Sequence, residues 1–368
     1  MNKQNIVIFI GDWPPPSGGV ASYTQDLYYN FLNRNFRVIV YATGNFKTND
    51  QNIKHIYFSK KNPLRTLISL ISIFIKIPQK AIVHTQSFLT SKPSILVIFA
   101  FLLMKKIKHI YLIETLHDGT LPERYQYFNK IQKHLYHLIN LIIDKLIATS
   151  SNLEQFLKSI GISNSKLITV SSLLPVDYIQ TSHNGLPDEI HKFLTKFSFI
   201  IITAGAFIKD YDLNTIVDTF VLFSKQYPNS GLIICETSFI ENNSYKQEVL
   251  AKIKNKNNIL ILKNISRNLF LQLLSKANVF IRGCINDSFG LSKAEAILRG
   301  VKVITVNSGI TDFMEIYVYG NLESLLNKLL EAKHKDQKDA NKSKEYYQQL
   351  ALDNLNAIIN IYKNLYEK

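Results

Sequence analysis

Twice along this chain, short runs of nearly continuous apolar residues alternate with longer helix-like stretches. In the first series the runs are Asn5–Gly11, Arg37–Ala42, Ile53–Phe58, Ala81–Thr85, His109–Leu116, Lys145–Thr149 and Lys166–Ser171. In the second they are Phe197–Ala204, Gly231–Glu236, Asn258–Leu262, Val279–Arg282 and Val301–Val306. A strand with one wet face alternates polar and apolar residues; one that is apolar throughout must be covered on both faces, as in a parallel sheet flanked by helices. The expected fold is therefore α/β, with two Rossmann-like doubly wound domains facing each other across a cleft. The 368 residues suffice for two cores. Leu174–Pro187, with Pro175, Gly185 and Pro187, breaks the alternation. The expected division is 1–175 for the first domain, 176–195 for a linker and 196–344 for the second, with a last helix, 345–368, packing back onto the first.

Charge narrows the partners. Lys and Arg number 43 against 28 Asp and Glu, a formal net charge of +15, and 46% of residues are hydrophobic, which excludes a disordered chain. Residues 1–180 carry 20 basic against nine acidic side chains, a balance of +11; the remainder carries only +4. Such a field attracts an anionic partner: nucleic acid, acidic lipid headgroups or a phosphorylated substrate. General richness in Lys, Asn and Ile is the bland alternative. Two cysteines, Cys235 and Cys284, lie in apolar strand-like runs, so a disulfide framework is not expected and a reducing compartment is. Ile6–Ile10 is too short for a signal peptide, and the longest apolar run, Ile95–Met104, falls well short of the roughly 20 residues that span a bilayer. The expected location is cytoplasmic.

Two helical stretches stand out. Leu64–Ile77 gathers Leu64, Leu67, Ile68, Ile71, Phe74 and Ile75 on one face, with Arg65, Ser69, Ser72 and Lys76 in a narrow polar stripe. Ile95–Met104 is apolar all round and is followed by Lys105, Lys106 and Lys108. Both can be crossover helices buried against a sheet, the reading favoured for the second. The first can instead lie in a membrane interface with lysines on anionic lipid.

Two loops can carry chemistry. After the first strand, Gly18-Gly19 opens a helix. Such a pair lets backbone N–H groups approach a phosphate or sugar, or simply makes a turn needing φ > 0; its spacing is not that of a dinucleotide fingerprint. The second loop follows strand Val279–Arg282 and reads Asp287-Ser288-Phe289-Gly290-Leu291-Ser292-Lys293-Ala294-Glu295-Ala296. Two carboxylates eight residues apart bracket a helix N-terminus at the carboxyl end of a strand, where open α/β sheets bind ligands. Backbone N–H groups of Phe289, Gly290 and Leu291 can take a phosphate or sugar hydroxyl, and Glu295 can accept from a ribose diol.

This second loop resembles the E-x7-E signature of family 4 retaining glycosyltransferases of the GT-B fold, with Asp287 where glutamate is usual. The resemblance extends along the chain through Gly18-Gly19-Val20, Ile82-Val83-His84, Thr115-Leu116-His117-Asp118, Ile147-Ala148-Thr149-Ser150, Ile168–Pro175, Thr203-Ala204-Gly205 and Val303-Ile304-Thr305 with Ser308-Gly309. It implies donor-sugar contact by the catalytic residues His117 and Asp287, ribose binding by Glu295 and diphosphate binding by Lys209. The arginine that accompanies that lysine is missing, since Ala206-Phe207 follows Gly205, and Arg282 is the candidate to supply its charge. Gly18 and Gly19 complete the implied donor site. A nucleotide sugar is then a substrate and no cofactor is implied; no D-x-D or His/Cys cluster suggests a metal. The implied reaction moves a sugar with retention to a saccharide acceptor, lipid-linked in surface polysaccharide or O-antigen assembly.

Two rivals remain at this level. A nucleotide-sugar epimerase of related fold would turn over the donor without an acceptor. A basic nucleic-acid-binding protein would account for the charge but not for the ordered motifs, and no RNP, KH or zinc-knuckle pattern is present.

Overall fold

In the computed structural model, residues 6–15, 18–44, 46–58, 62–90, 94–176, 186–237, 243–334 and 340–367 are described. They form two units, residues 1–178 with 351–368, and residues 179–350.

The first unit holds strands β1 Ile6–Asp12, β2 Arg37–Thr43, β3 Ile53–His55, β4 Ile82–Gln86, β5 Tyr111–Leu116, β6 Lys145–Ala148 and β7 Leu167–Thr169. All pair in parallel, in the order β3-β2-β1-β4-β5-β6-β7. The helices are α1 Gly19–Leu32, α2 Pro63–Lys76, α3 Ile95–Lys108, α4 Leu121–Gln126, α5 Lys130–Ile142 and α6 Ser151–Ser159. Strand β1 shows why its sequence is apolar throughout. Ile8 and Ile10 point into one core, with Val83, Leu112, Phe101 and Ile139, while Val7 and Phe9 point into another, with Leu27, Phe31 and Tyr362. A polar residue at any of these positions would be buried on one side or the other.

The second unit repeats the plan. Strands β8 Phe199–Gly205, β9 Ser230–Glu236, β10 Ile259–Lys263, β11 Val279–Arg282, β12 Lys302–Thr305 and β13 Glu315–Ile316 pair in parallel, in the order β10-β9-β8-β11-β12-β13. Its helices are α7 Asp188–Lys196, α8 Leu213–Gln226, α9 Ser244–Ile253, α10 Arg267–Leu274, α11 Leu291–Leu298 and α12 Leu322–His334. The last helix, α13 Ala340–Tyr366, belongs to the first unit from Ala351 onward. There Leu355, Ile358, Ile361, Tyr362 and Leu365 complete the core beneath Val7 and Phe9.

Three expectations change. Residues 176–195 are not all linker: 177–185 lie outside the described residues, and α7 begins at Asp188. Helix α7 is fixed by an amphipathic pattern too short to register in sequence, with Ile190 buried and Phe193 packed on Phe197. Cys284 is buried but sits two residues beyond β11, not within a strand. The apolar face of α2 points outward, and α3 also exposes Ile95 and Phe99, so neither is a fully buried crossover helix. No helix among the described residues is long and apolar enough to cross a membrane.

Candidate functional site

In the second unit, β11 delivers Arg282 at its carboxyl end and the chain returns to begin α11 at Leu291. Arg282 reaches forward to Asp287, Nε donating to Oδ2 at 2.9 Å and Nη2 to Oδ1 at 2.7 Å. Its Nη1 donates to the carbonyl of Ala204 at 2.7 Å, and its guanidinium lies 4.8 Å from the Tyr211 ring centroid. The two side chains are 12% and 9% exposed. Burial alone would raise the Asp287 carboxyl, but the facing guanidinium outweighs it and holds the group below its usual range. Asp287 is therefore an anion, and the charge that Arg282 was expected to lend a diphosphate is already balanced.

Gly290 caps α11 with φ +88°, a conformation that favours glycine. A Cβ there would come within 2.2 Å of Lys293 Cε and 3.2 Å of Asp287 Oδ2, so lysine and carboxylate crowd one point of the loop. Lys293 is fully buried and its Nζ donates to the Ser308 carbonyl at 2.5 Å. Burial lowers its pKa to about 8, against the pull of Asp287. Phe289 is buried, with its carbonyl accepting from Ile310 N–H at 2.9 Å, and Leu291 is the first residue of α11.

Glu295, four residues beyond the first residue of α11, is 4% exposed. Arg267, at the start of α10, donates to its Oε1 from Nε at 2.9 Å and from Nη2 at 2.6 Å. Arg299 donates from Nη1 to the Glu295 carbonyl at 3.1 Å. Lys209 is exposed, in a 3-10 turn, Lys209–Tyr211, that leans on the same loop: Ile285 N–H donates to the Asp210 carbonyl at 3.1 Å and Asn286 Nδ2 to Asp210 Oδ2 at 3.2 Å. Thus Lys209, Arg282, Asp287, Phe289, Gly290, Leu291 and Glu295 all belong to one side of one unit's sheet, around the start of α11. Gly205 is glycine because Tyr211 packs on it; a Cβ would lie 2.2 Å from the ring.

Gly18, Gly19 and His117 belong to the first unit. Gly18 has φ −104° and ψ 168°, so the turn needing positive φ is not what these glycines serve. Both are exposed, and a Cβ on either would meet nothing within 4 Å. His117 follows β5. Its backbone N–H donates to Ser87 Oγ at 2.8 Å, Nε2 lies 3.0 Å from Gln86 Oε1, Nδ1 lies 3.1 Å from Ser172 Oγ, and the ring meets Tyr23 edge-on at 4.7 Å. Gln86 Oε1 can only accept, which assigns the ring proton to Nε2. Burial lowers the imidazole to about 3, so it is neutral. Buried Glu114 accepts from the N–H groups of Leu89 and Thr90, at 2.9 and 3.0 Å, and so ties down the loop that carries Ser87. The Gln86 Nε2 amide is buried without a partner.

Arg267, Lys293, Gln86 and Ser172 escape sequence reading. Only Lys293 leaves a signal there, as a lysine among the apolar and small residues of a helix that the fold buries. Among the described residues no three His, Cys, Asp or Glu side chains group as metal ligands would.

Comparison with known proteins agrees with this layout. The profile of the family described as glycosyl transferases group 1 matches residues 188–348. The capsular polysaccharide biosynthesis glycosyltransferase CapM of Staphylococcus aureus is 24% identical over 294 residues, covering 77% of this chain and 73% of CapM. Among solved structures, Anabaena Alr3699/HepE in complex with UDP and glucose superposes with a TM-score of 0.73 at 15% identity, over 98% of this chain and 100% of that one. A glycosyltransferase from Rickettsia africae ESF-5 gives 0.70 at 20% identity, over the whole of both chains. The chain has the GT-B fold, and the match of its residues 188–348 to the group 1 glycosyl transferase model, with the likeness to CapM, indicates a glycosyltransferase.

Proposed function

We propose that the chain moves a sugar, with retention of configuration, from a UDP-sugar to a saccharide on a lipid diphosphate during assembly of a surface polysaccharide such as O-antigen. The observation that carries the donor half is the pair of buried ion pairs, Arg282–Asp287 and Arg267–Glu295, set around the start of α11. Each holds a carboxylate in a fixed orientation at the carboxyl end of a parallel sheet. Glu295 would accept from the ribose hydroxyls, while the backbone of Phe289, Gly290 and Leu291, with Lys209, would meet the diphosphate. HepE, which is similar in fold, was solved with UDP and glucose, and this supports a uridine nucleotide.

In this reading the bond from the anomeric carbon to the leaving phosphate oxygen breaks as the acceptor hydroxyl attacks on the same face. The acceptor proton passes to a donor phosphate oxygen. Charge on the leaving group is met by backbone N–H groups and Lys209, without a metal. His117, neutral and fixed by Gln86 and Ser172, meets the transferring sugar as a hydrogen-bonding group. The acceptor binds the first unit, at the cytoplasmic face of the membrane; the basic balance of residues 1–180 supports an anionic acceptor, and the likeness to CapM supports a place in polysaccharide biosynthesis.

The test is a thermal-shift screen of UDP-, GDP- and dTDP-sugars, followed by transfer assays with and without EDTA. Stabilisation by a UDP-sugar, followed by EDTA-resistant transfer giving an α-linked product from an α-linked donor, is expected. Stabilisation by none, or conversion of the donor to its epimer without acceptor, would overturn the reading.

A further inference from the structure

Between Asp50 and Glu114 the sequence holds ten Lys or Arg and no Asp or Glu. Two helices of this stretch, α2 and α3, pack on each other in the first unit. Helix α2 is turned against the usual rule. Its hydroxyl residues Thr66 and Ser69 face inward beside Leu70 and Ile73. Ser69 Oγ accepts from Tyr57 N–H at 3.0 Å, and Thr66 Oγ1 donates to the Asn62 carbonyl at 3.3 Å. Leu64, Ile68, Ile71 and Ile75 face outward, 66%, 58%, 49% and 68% exposed. Helix α3 continues the apolar surface with Ile95, Phe99 and Ile107, each half exposed or more.

Cations flank this surface. Arg65 and Lys76 on α2, Lys80 just beyond it and Lys106 on α3 are exposed. Lys105 is not among them, since its Nζ is held by the Ile142 carbonyl at 2.8 Å and Asp144 at 2.7 Å.

We propose that the outward faces of α2 and α3 seat the first unit on an anionic lipid surface. The isoleucines and Phe99 enter the acyl boundary while Arg65, Lys76, Lys80 and Lys106 meet headgroup phosphates. Fourteen residues in each helix give a length of about 21 Å, so they lie on the membrane and do not span it. Charge decides among the occupants. A second copy of the chain would set this cation-bordered patch against itself in a symmetric contact. Nucleic acid would need base-stacking or polar groups where the centre is aliphatic. Anionic lipid matches both parts.

The role of this docking rests on the reading of the acceptor as lipid-linked; the docking itself is measured without donor or acceptor. The full chain is sedimented with phosphatidylcholine vesicles, with and without phosphatidylglycerol, at low and high salt. Binding to the phosphatidylglycerol vesicles, weakened by salt, is expected. Lys106→Gln should weaken it about fivefold, and Ile71→Glu at least about tenfold with the melting temperature unchanged. Failure to bind any vesicle, equal binding to both lipids, or a dimer that Ile71→Glu dissociates in place of vesicle binding would each overturn the proposal. Transfer to a water-soluble acceptor by a chain that ignores vesicles would leave the transferase reading intact; vesicle binding without transfer would do the reverse.

Discussion

Arg267 donates twice to a single oxygen of Glu295, at 2.9 and 2.6 Å, with both side chains 5% exposed. The pair therefore couples any donor contact made by Glu295 to the stability of the second unit. Arg267→Ala, which leaves a buried carboxylate unpaired, should cost about 3–5 kcal/mol and lower the urea midpoint. Glu295→Gln keeps the shape and should weaken UDP-sugar binding roughly 5–100-fold, the loss of about 1–3 kcal/mol from a charged hydrogen bond. Unchanged affinity in calorimetry would take Glu295 out of the donor site.

Lys293 gives the second unit a titration near neutrality, because burial brings its ammonium to about 8. Below that pH the group is a cation 0% exposed beside the Asp287 loop; above it the charge is gone. Between about 8 and the ordinary 10.5 the unfolded chain holds a proton that the folded chain has released, so stability should rise as pH increases through that window, and Lys293→Met should flatten the profile in urea melts. A sloping profile in the variant would show that another group titrates.

His84 is fully buried between Tyr362 Oη, 2.5 Å from Nδ1, and Thr115 Oγ1, 2.7 Å from Nε2. Burial first, and the neighbouring His117 second, lower it from 6.5 to about 3. Between those values the unfolded chain binds a proton that the folded chain refuses, so stability falls as pH drops from 6.5 toward 3. The slope from this group is up to about 1.4 kcal/mol per pH unit. His84→Gln should remove that part of the slope in urea melts across the window. An equal slope in both proteins would assign the acid sensitivity elsewhere.

His117→Ala should reduce turnover at least about tenfold, equivalent to roughly 1.4 kcal/mol in the barrier, when assayed at a temperature where the variant is fully folded. Because the imidazole is already neutral, the rate should show no step at the ordinary histidine pKa. Gln86→Leu removes the acceptor that fixes the ring proton and should lower kcat more than it raises KM. Loss of turnover only in step with a lower melting temperature would make His117 a packing residue.

The sheets were legible because uninterrupted apolar runs such as Val7–Ile10 have few other uses in a folded chain. Strand β13, two exposed residues beside β12, has no such run and left no trace in the sequence. Helix α2 was legible as amphipathic but not in its orientation: serine and threonine inward is a choice made by the backbone N–H of Tyr57 and the carbonyl of Asn62, which periodicity cannot see. The start of α11 was legible because its carboxylates, glycine and strand lie within a few residues of one another. Arg267 was not, since 28 positions separate it from Glu295 and only the packing of α10 on α11 joins them.

Helix α13 lends residues 351–368 to a unit whose other residues end at 178. On a ribosome this reverses the order of assembly that numbering suggests. The second unit has all its residues once Leu350 is made, whereas Val7, Phe9 and Phe31 wait for Leu355, Ile358 and Tyr362 before their side of the sheet is covered. The first half of the polypeptide to emerge is the last to finish its core, and for that interval its apolar strands depend on whatever holds nascent chains apart.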